Sequence, residues 1–217
     1  MRSDGDPDGQ SLSRTFLEQA RRTQLIDCAV EVLVAHGYAG TTLSRVAERA
    51  GVSKGVVLYH FASKAELLEA TVNEVYDRGI RHAKESWFDR HAESAAPPDL
   101  LRAYLETNLA YIAAHPAEIA AAIEVGRNHR DADGALVFGT EFEERLYATL
   151  EDIFRAGQQS GHFHLFAPRV MAVSVRRVID GFSFQLLAVP NLDTEAYAAE
   201  VVALFERATR ADGAPDD

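Results

Sequence analysis

Apolar residues along this 217-residue chain recur at the three- and four-residue spacing of amphipathic helices, with polar residues between them. The first such pattern predicts a long helix over about 14–36, which Gly37 ends. Its core-facing stripe is predicted to consist of Ile26, Ala29, Val30, Leu33 and Val34. A later pattern predicts another long helix that begins at Ser63, where Glu66 completes a capping box, and runs to about residue 88.

Between these two helices, the stretch 42–64 has the turn chemistry of two short helices. Thr42 and Ser53 are each expected to cap a helix by accepting a hydrogen bond from a free backbone N–H group. Gly51 supplies the left-handed residue that ends the first short helix. This layout is a helix-turn-helix, and its second helix, predicted over 54–60, is the one that enters the major groove in proteins that bind DNA.

A helical hairpin that only packs against the rest of the chain has the same layout, so the outward-facing side chains decide between the two interpretations. Those of the second helix and just beyond it are small, basic or able to donate hydrogen bonds: Lys54, Gly55, Tyr59, His60 and Lys64. Such residues suit close approach to DNA and contact with phosphates and base edges. They favour a DNA-binding helix over a purely structural one.

The second half of the chain also has helical periodicity. A stretch rich in alanine and proline, 91–98, is predicted to be a linker. The apolar-periodic segments that follow predict helices over about 99–114, 116–129, 139–160, 168–188 and 194–210. Pro116 and Pro168 open two of them, at the helix position where the missing N–H group costs nothing. Together the patterns predict an all-α protein with an N-terminal three-helix domain and a C-terminal helical bundle.

Composition and charge indicate the cellular compartment of the protein and show that its charge is unevenly distributed along the chain. The hydrophobic fraction of 47% is ordinary, and no apolar run is long enough to span a membrane. Cys28 is the one cysteine and no signal peptide is recognisable, which together indicate the cytoplasm. The net charge is −11, but residues 11–65 hold seven Lys and Arg against four Asp and Glu, a balance of +3 that leaves −14 elsewhere. The attraction for phosphate therefore lies at one end of the chain.

No motif indicates a metal, a cofactor or a catalytic site. Residues 1–13 are rich in Asp, Gly, Ser and Pro and are predicted to be a disordered tail. This tail is similar to the first half of a calcium loop, but Thr15 stands where that loop needs a glutamate. His162 and His164 form a lone His-x-His pair, which is weak evidence for a metal. There is no Glu-x-x-His motif and no glycine-rich phosphate loop.

The string AGVSKGVVLYHFASKAELL resembles the signature of the TetR family of bacterial transcriptional regulators, and the resemblance extends over about residues 19–68. The family pattern has a Gly-Val-Ser-Lys-Gly run, an apolar and aromatic segment that ends in His-Phe, and Ser-Lys before the next helix. The resemblance implies contact with DNA for Thr42, Ser44, Arg45, Ser53, Lys54, Gly55, Val56, Tyr59, His60 and Lys64.

Two positions depart from the family pattern. Leu58 stands where the family usually has a tyrosine, and Val56 replaces a common threonine, so two hydroxyl groups are lost. Tyr59 and His60 are therefore expected to carry more of the contact with the DNA backbone.

The last two predicted helices carry more apolar residues than one buried stripe requires. These residues are Val170, Val173, Ile179, Phe182, Phe184, Leu186, Leu187, Tyr197, Val201, Val202, Leu204 and Phe205. One interpretation is a deeply buried central helix, and the other is a dimer interface. The run from Val178 to Phe182 resembles one in the late helices of TetR-like regulators, where these helices form a four-helix interface, and this favours a homodimer.

Polar and aromatic residues recur on one face of the predicted helix 99–114, where a core would have aliphatic residues. An apolar cavity with a few polar groups is typical of a small-ligand site, and the alternative is a wet surface. The predicted ligand-binding residues are Tyr104, Asn108, Tyr111, His115, Glu124, Arg127, Asn128 and Phe142. The nearby acidic side chains of Glu118 and Glu124 would admit a cationic ligand, which is weak evidence.

The sequence thus predicts a sequence-specific DNA-binding transcriptional regulator, acting as a homodimeric, ligand-responsive repressor of a palindromic operator. The predicted domains are a tail at 1–13, a helix-turn-helix domain at 14–62, a connecting helix at 63–90 and a ligand-binding and dimerisation domain at 91–217. The alternative function is an enzyme or small-molecule carrier built on a helical bundle. An activator, or a regulator without a ligand, is also compatible with these features.

Overall fold

The computed structural model of the chain describes residues 7–211, without the side chains of residues 7–16 and of Thr140. The predicted all-α fold is confirmed. The chain divides into two compact units between Glu74 and Val75, inside the segment that the sequence predicted to be a connecting helix. None of the helices in the described range is both long enough and apolar enough to cross a membrane.

The N-terminal unit contains α1 (Pro7–Gly40), α2 (Leu43–Ala50), α3 (Lys54–His60) and the first half of α4 (Lys64–Ala83). α1 begins at Pro7 and not near residue 14, so the tail predicted at 1–13 is helical over its second half. Proline suits the first turn of a helix, because its φ angle is already helical there. Residues 1–6 of the predicted tail lie outside the described residues. Gly37, with φ 66°, interrupts α1 as predicted.

One cluster of buried side chains joins α1, α2 and α3 to the start of α4. Its members are Leu25, Ile26, Ala29, Val32, Val46, Ala47, Val57, Phe61 and Leu67. Four of the five residues predicted for the α1 stripe are buried, but the prediction is wrong at Val34, which is 43% exposed. Val34 follows the buried Val32 by two residues, or roughly 200° around the helix, so it points away from this core.

The predicted turn chemistry of the helix-turn-helix is confirmed at Thr42 and Gly51. The Thr42 hydroxyl accepts a hydrogen bond from the Arg45 N–H at 3.2 Å, and Gly51 is left-handed with φ 67°. The prediction is wrong for the Ser53 side chain, which makes no capping hydrogen bond within the described residues. The Val56 N–H that it would accept donates to the Ser53 carbonyl instead, at 3.0 Å.

The start of α4 is capped as predicted, with a shift of one residue. The Glu66 N–H donates to the Ser63 hydroxyl at 3.1 Å, and the Glu66 carboxylate accepts from the Ala62 N–H at 2.8 Å. The helix then continues through a π-helical turn, Lys84–Phe88, and a last helical turn, Asp89–His91. The predicted end near residue 88 is therefore close to the observed one.

The C-terminal unit begins inside α4 and continues with α5 (Pro97–Ala114), α6 (Pro116–Asn128), α7 (Thr140–Gln159), α8 (Pro168–Ala188) and α9 (Thr194–Thr209). These helices confirm the five predicted segments, each within two residues at either end. The predicted linker 91–98 is shorter than expected, because Pro97 already occupies the first position of α5.

α8 lies at the centre of the C-terminal unit, where it packs against α5, α6 and α7, while α9 packs mainly on α5. Ile179 and Phe182 of α8 are fully buried, and the Phe182 ring stacks on Tyr197 with 4.8 Å between the centroids. α8 is thus the buried central helix of one interpretation. Other apolar side chains of α8 and α9 are exposed, namely Val170, Phe184, Leu187 and Leu204.

The packing of Phe163, in the turn before α8, requires a glycine at position 157. A Cβ atom on Gly157 would lie 2.0 Å from the Phe163 ring, far inside van der Waals contact. We expect Gly157→Ala to lower the free energy of unfolding by about 1–3 kcal/mol, the usual cost of overpacking. Urea denaturation of the purified variant measures this change.

Gly126→Ala is the matched control in the same unit, because a Cβ atom on Gly126 meets Phe138 at an ordinary contact distance of 3.9 Å. Alanine in that helix should be neutral or stabilising. An equal loss of stability in the two variants would contradict the assignment of the cost to Phe163.

Candidate DNA-binding surface and ligand cavity

The predicted DNA-contacting residues lie mostly on the solvent-facing side of the N-terminal unit. Seven of the ten are exposed, namely Thr42, Ser44, Arg45, Ser53, Lys54, Gly55 and Tyr59. The other three, Val56, His60 and Lys64, are half-buried. Within α3 the buried side chain is Val57, so this helix turns one face to the core and the opposite face outward.

α1 holds the end of α3 in place. The Arg22 guanidinium donates to the His60 carbonyl at 2.6 Å and lies over the Phe61 ring, 4.2 Å from its centroid. The Tyr59 hydroxyl lies 3.3 Å from the Glu18 carboxylate, to which it donates, and its ring meets the His60 ring edge-on at 5.0 Å. A DNA phosphate that binds the Tyr59 hydroxyl must therefore compete with Glu18.

Two of the predicted cations contact backbone carbonyls of the same unit. The Lys64 ammonium donates to the Tyr38 carbonyl at 2.9 Å and lies 4.9 Å from the Tyr38 ring centroid. Partial burial at this place lowers the pKa of Lys64. Arg45 donates to the Gly40 carbonyl. Lys54, by contrast, is exposed at the first position of α3.

Leu58 occupies a surface position of α3. Its side chain is 44% exposed and stands beside Tyr59, which is 68% exposed. The departure from the family pattern at this position therefore changes the outward surface and not the core.

The C-terminal unit contains a cavity of about 220 Å³, lined by α4 and its π-helical turn, α5, α7 and α8, with one residue from α6. Three of the eight predicted ligand-binding residues line it, namely Tyr104, Asn108 and Tyr111 of α5. Much of the remaining wall is apolar: Val75, Ile80, Ala83, Phe88, Ile112, Ile119 and Leu146. The face of α5 that the sequence singled out therefore forms one wall of this cavity.

The structure does not bring the other five predicted residues to the cavity. The His115 ring lies 4.6 Å from the Tyr111 ring, and the Phe142 ring meets the Tyr76 ring edge-on at 5.1 Å, so both stand behind the wall. The remaining three are exposed on α6: Glu124, Arg127 and Asn128. Sequence spacing could not separate these groups, because a solvent-facing helix face and a cavity-facing one both carry polar residues.

A buried charged pair that the ligand-site prediction missed lines the same cavity. Arg176 and Asp180 are one turn apart on α8, and their side chains are 6% and 12% exposed. Arg176 Nη2 donates to the Asp180 carboxylate at 2.6 Å, and Nη1 donates to the Asn108 side-chain oxygen at 3.3 Å. Arg176 Nε is also buried and has no hydrogen-bond partner in the described part of the chain.

The surroundings keep the Arg176 side chain positively charged and the Tyr76 side chain uncharged. Burial disfavours the arginine cation, but the charge of Asp180 and a hydrogen bond with Tyr104 outweigh it, so the pKa of Arg176 lies above its usual value. Burial, helped by the negative charge of Asp180, raises the pKa of Tyr76. Near neutral pH the cavity wall thus holds a guanidinium cation and an uncharged phenol.

Two further cations, Arg145 and Lys84, line the exposed edge of the cavity. Arg145 Nη2 donates to the Asp77 carboxylate at 3.3 Å, across a surface that is open to water. Lys84 and Phe88 begin and end the π-helical turn, and both line the cavity. π-helical turns are frequent at functional sites, and this one contributes two side chains to the wall.

Gly79 allows α5 to approach α4 closely. A Cβ atom on Gly79 would lie 3.2 Å from the Tyr111 ring, tighter than usual contacts, so the glycine leaves room for this ring. The Tyr111 ring also lies 5.5 Å from the His82 ring. The sequence signal was a glycine inside a predicted helix, which often marks a close approach of two elements.

Arg176 and Asp180 also had a signal in the sequence. They are an oppositely charged pair at a spacing of four residues within an otherwise apolar helix, and charged residues are rarely buried unless they are paired. Tyr76, Phe88 and Arg145 had no such signal, because they come from two other helices and no pattern within one helix relates them to the cavity.

Within residues 7–211, no group of three or more His, Cys, Asp or Glu side chains lies close enough together to hold a metal ion. The two histidines of the His-x-His pair have structural contacts. His162 Nδ1 is hydrogen-bonded to the Ser160 hydroxyl at 2.8 Å, and His164 Nε2 lies 3.0 Å from the Ala208 carbonyl.

Arg176→Met should lower the free energy of unfolding by about 3–5 kcal/mol, because it leaves the Asp180 carboxylate buried without its partner. The double variant Arg176→Met/Asp180→Leu removes both charges and should recover most of that loss. Chemical denaturation of the purified variants measures both effects. A double variant that is less stable than the single one would show that the unpaired carboxylate is not the source of the cost.

The N-terminal unit matches proteins whose family is known. Residues 25–71 match the family model described as "Bacterial regulatory proteins, tetR family". The HTH-type transcriptional regulator BetI of Paraburkholderia xenovorans is 40% identical over 92 residues, a match that covers 42% of this chain and 46% of the relative. BetI of Burkholderia thailandensis is 40% identical over 93 residues, with the same coverage of 42% and 46%. The chain thus spans just under half the length of these curated relatives.

Solved structures extend the similarity of the fold to both units. A bacterial regulatory protein in the tetR family from Rhodococcus superposes with a TM-score of 0.74 at 21% identity, covering 88% of this chain and 98% of that one. The transcriptional regulator FadR from Bacillus subtilis, in complex with stearoyl-CoA, has a TM-score of 0.71 at 22% identity, covering 84% and 96%. The N-terminal unit thus matches the TetR family of bacterial regulatory proteins, and the fold of both units is similar to that of a solved regulatory protein of the tetR family.

Proposed function

We propose that this protein is a homodimeric, ligand-responsive repressor that binds a palindromic operator through α3. The observation that carries the proposal is the outward face of α3, where Lys54, Gly55 and Tyr59 are exposed while Val57 is buried. These residues can contact phosphates and base edges without disturbing the core. The protein acts in the cytoplasm, where it meets its operator.

The intrachain contacts of the other cations are compatible with DNA binding. Arg45 and Lys64 each donate to a backbone carbonyl of the N-terminal unit. A guanidinium has five N–H donors and an ammonium has three, so each side chain can keep its carbonyl contact and still donate to a phosphate. Both residues are held near α3 before DNA arrives, which reduces the entropy lost on binding.

The exposed apolar side chains of α8 and α9 support a homodimer. Val170, Phe184, Leu187 and Leu204 are between 37% and 65% exposed. An apolar surface that pairs with its own copy across a twofold axis is typical of a homodimer interface. Two copies present two α3 helices, which read half-sites about 34 Å apart or slightly more.

The cavity supports regulation by a small molecule. α4 contributes Val75, Tyr76, Gly79, Ile80 and Ala83 to the cavity wall, and the first half of the same helix belongs to the N-terminal unit. A ligand that moves this wall biases the helix that leads back to the helix-turn-helix. A coupling of about 1–3 kcal/mol changes operator affinity roughly 5- to 150-fold. The similar fold of FadR in complex with stearoyl-CoA supports a small-molecule ligand for this fold.

Lys54→Gln should weaken operator binding and reduce its dependence on salt, because the variant loses one phosphate contact. The duplex is taken from the region upstream of the protein's own gene, and affinity is measured across a salt series. The slope of log affinity against log salt should become shallower by about 0.9.

Lys84→Gln is the matched control, because it removes the same charge from an exposed site in the C-terminal unit. Its salt slope should equal that of the wild type. Equal slopes for the two variants would show that Lys54 does not contact phosphate. If the wild-type protein binds the upstream duplex weakly, with the same affinity as an unrelated duplex, the upstream duplex does not contain the operator.

Leu187→Asp and Leu204→Asp should each shift the homodimer towards monomers, because each places a charge on the apolar face that the two copies bury. A buried leucine contributes roughly 1.5–3 kcal/mol, so the dissociation constant should rise at least about ten-fold. Sedimentation velocity over a concentration series measures this change. Leu136→Asp is the matched control, since Leu136 is 41% exposed in the segment between α6 and α7. Dissociation by the control to the same extent would contradict the assignment of the interface.

A further inference from the structure

We propose that the ligand of the C-terminal cavity is a small organic anion, with a compact apolar body and one carboxylate group. This inference rests on the proposed function, since it names the chemical class of effector for the same cavity. Three features carry it: the sign of the charges on the wall, an unpaired buried donor, and the small apolar volume.

Cations outnumber anions on the wall of the cavity. Among the described residues that line it, Lys84, Arg145 and Arg176 are cationic and Asp180 is anionic. Asp180 is already bound to Arg176 at 2.6 Å, so its charge is compensated within the wall. Arg145 also contacts Asp77, but this contact is exposed to water, which weakens it. The remaining positive charge favours a ligand with a negative charge.

The Arg176 guanidinium has a buried nitrogen, Nε, that donates no hydrogen bond within the described residues. Its two terminal nitrogens donate to Asp180 and Asn108, whereas the buried Nε has no partner among the described residues. A buried donor without a partner costs free energy, and a carboxylate is the acceptor whose geometry best matches arginine. A ligand carboxylate against Arg176, where this side chain lines the cavity, adds an acceptor for the guanidinium, and Tyr76 lines the same wall.

The volume and lining of the cavity limit the rest of the ligand. About 220 Å³ is below the range of roughly 300–1,000 Å³ that is typical for drug-sized ligands. The wall away from the charged groups is aliphatic or aromatic, as at Ile80, Phe88 and Leu146. An alkyl or aryl carboxylate of medium length satisfies both limits, whereas a long acyl chain would extend out of the cavity.

A cationic ligand is the competing interpretation, because aromatic faces attract cations and several rings line the wall. These rings are Tyr76, Phe88, Tyr104 and Tyr111. The acidic residues that would admit a cation, Glu118 and Glu124, are not among the described residues that line the cavity. A cation inside the cavity would in addition be repelled by Arg176. The charges that line the cavity therefore favour an anion over the cation that the sequence would admit.

Three probes with the same alkyl chain and different head groups test the sign of the ligand charge: octanoate, octan-1-ol and octylammonium. Each probe is titrated into the full-length protein in a calorimeter. We expect octanoate to bind saturably and at least about ten-fold more tightly than either of the others, because it alone pairs with the guanidinium. Tighter binding of octan-1-ol or octylammonium, or no saturable binding of octanoate, would overturn the proposal.

Two matched charge reversals test whether octanoate binds in this cavity, and neither changes a core residue. Lys84→Glu and Arg90→Glu both change exposed side chains of the same helical segment, but Lys84 lines the cavity and Arg90 does not. Lys84→Glu should weaken octanoate binding about three-fold or more and strengthen octylammonium binding. Arg90→Glu should leave both affinities unchanged. Equal effects of the two variants would place octanoate outside this cavity and overturn the proposal.

Arg176→Lys tests the unpaired donor. Lysine keeps a positive charge beside Asp180 but lacks the Nε donor and the planar fork of arginine, so octanoate should bind at least about ten-fold more weakly. A thermal melt shows whether this variant is folded, and if it is not, the Lys84 and Arg90 comparison decides the question. A folded variant with wild-type affinity for octanoate would overturn the role of Arg176.

Operator binding by the same preparations separates this inference from the proposed function. If the protein binds its operator but does not bind octanoate, the anionic ligand is refuted and the proposed regulatory function stands. Saturable octanoate binding without selective binding to any operator would refute the regulator and support the anion site.

Discussion

The cavity of the C-terminal unit is built beside one buried ion pair. Arg176 and Asp180 lie on α8, the helix that packs against α5, α6 and α7. Taking two charges out of water is costly, and their attraction offsets this cost only where further hydrogen bonds complete the geometry. α5 supplies one such bond from Asn108, but Arg176 Nε stays without a partner in the described chain. The bundle therefore has a polar centre that lines the cavity in which we propose that a ligand binds.

The C-terminal unit buries polar side chains, whereas the N-terminal unit keeps them exposed on a very short helix. α3 has seven residues, too few for a helix that is stable in isolation. Val57 and Phe61 anchor it in the cluster built on α1, and Arg22 ties its last carbonyl to the same helix. These contacts occupy one face of α3 and leave the other face exposed, where we propose that DNA binds. The Glu18 carboxylate accepts a hydrogen bond from the Tyr59 hydroxyl on this exposed face.

α4 serves both units with one continuous helix. Leu67, near its start, completes the N-terminal cluster, and Tyr76 and Gly79 belong to the cavity wall. Gly79 makes room for Tyr111, so the wall is formed by a close contact between α4 and α5. A ligand that alters this contact acts on the element that also completes the N-terminal core. In the coupling that we propose, α4 itself connects ligand binding to the helix-turn-helix.

The sequence by itself determined the helices, the helix-turn-helix and the unusual face of α5. Those features are local: Thr42 and Gly51 act on residues next to them, and amphipathic spacing is read along one helix. Sequence reasoning was wrong at Val34 and at the Ser53 side chain, where another backbone group or another helix face decided the outcome. The tertiary structure alone decided which polar residues line the cavity and that Arg176 and Asp180 form its charged centre. Burial and charge compensation depend on side chains brought together from α4, α5, α7 and α8. The pattern along a single helix does not predict contacts between helices.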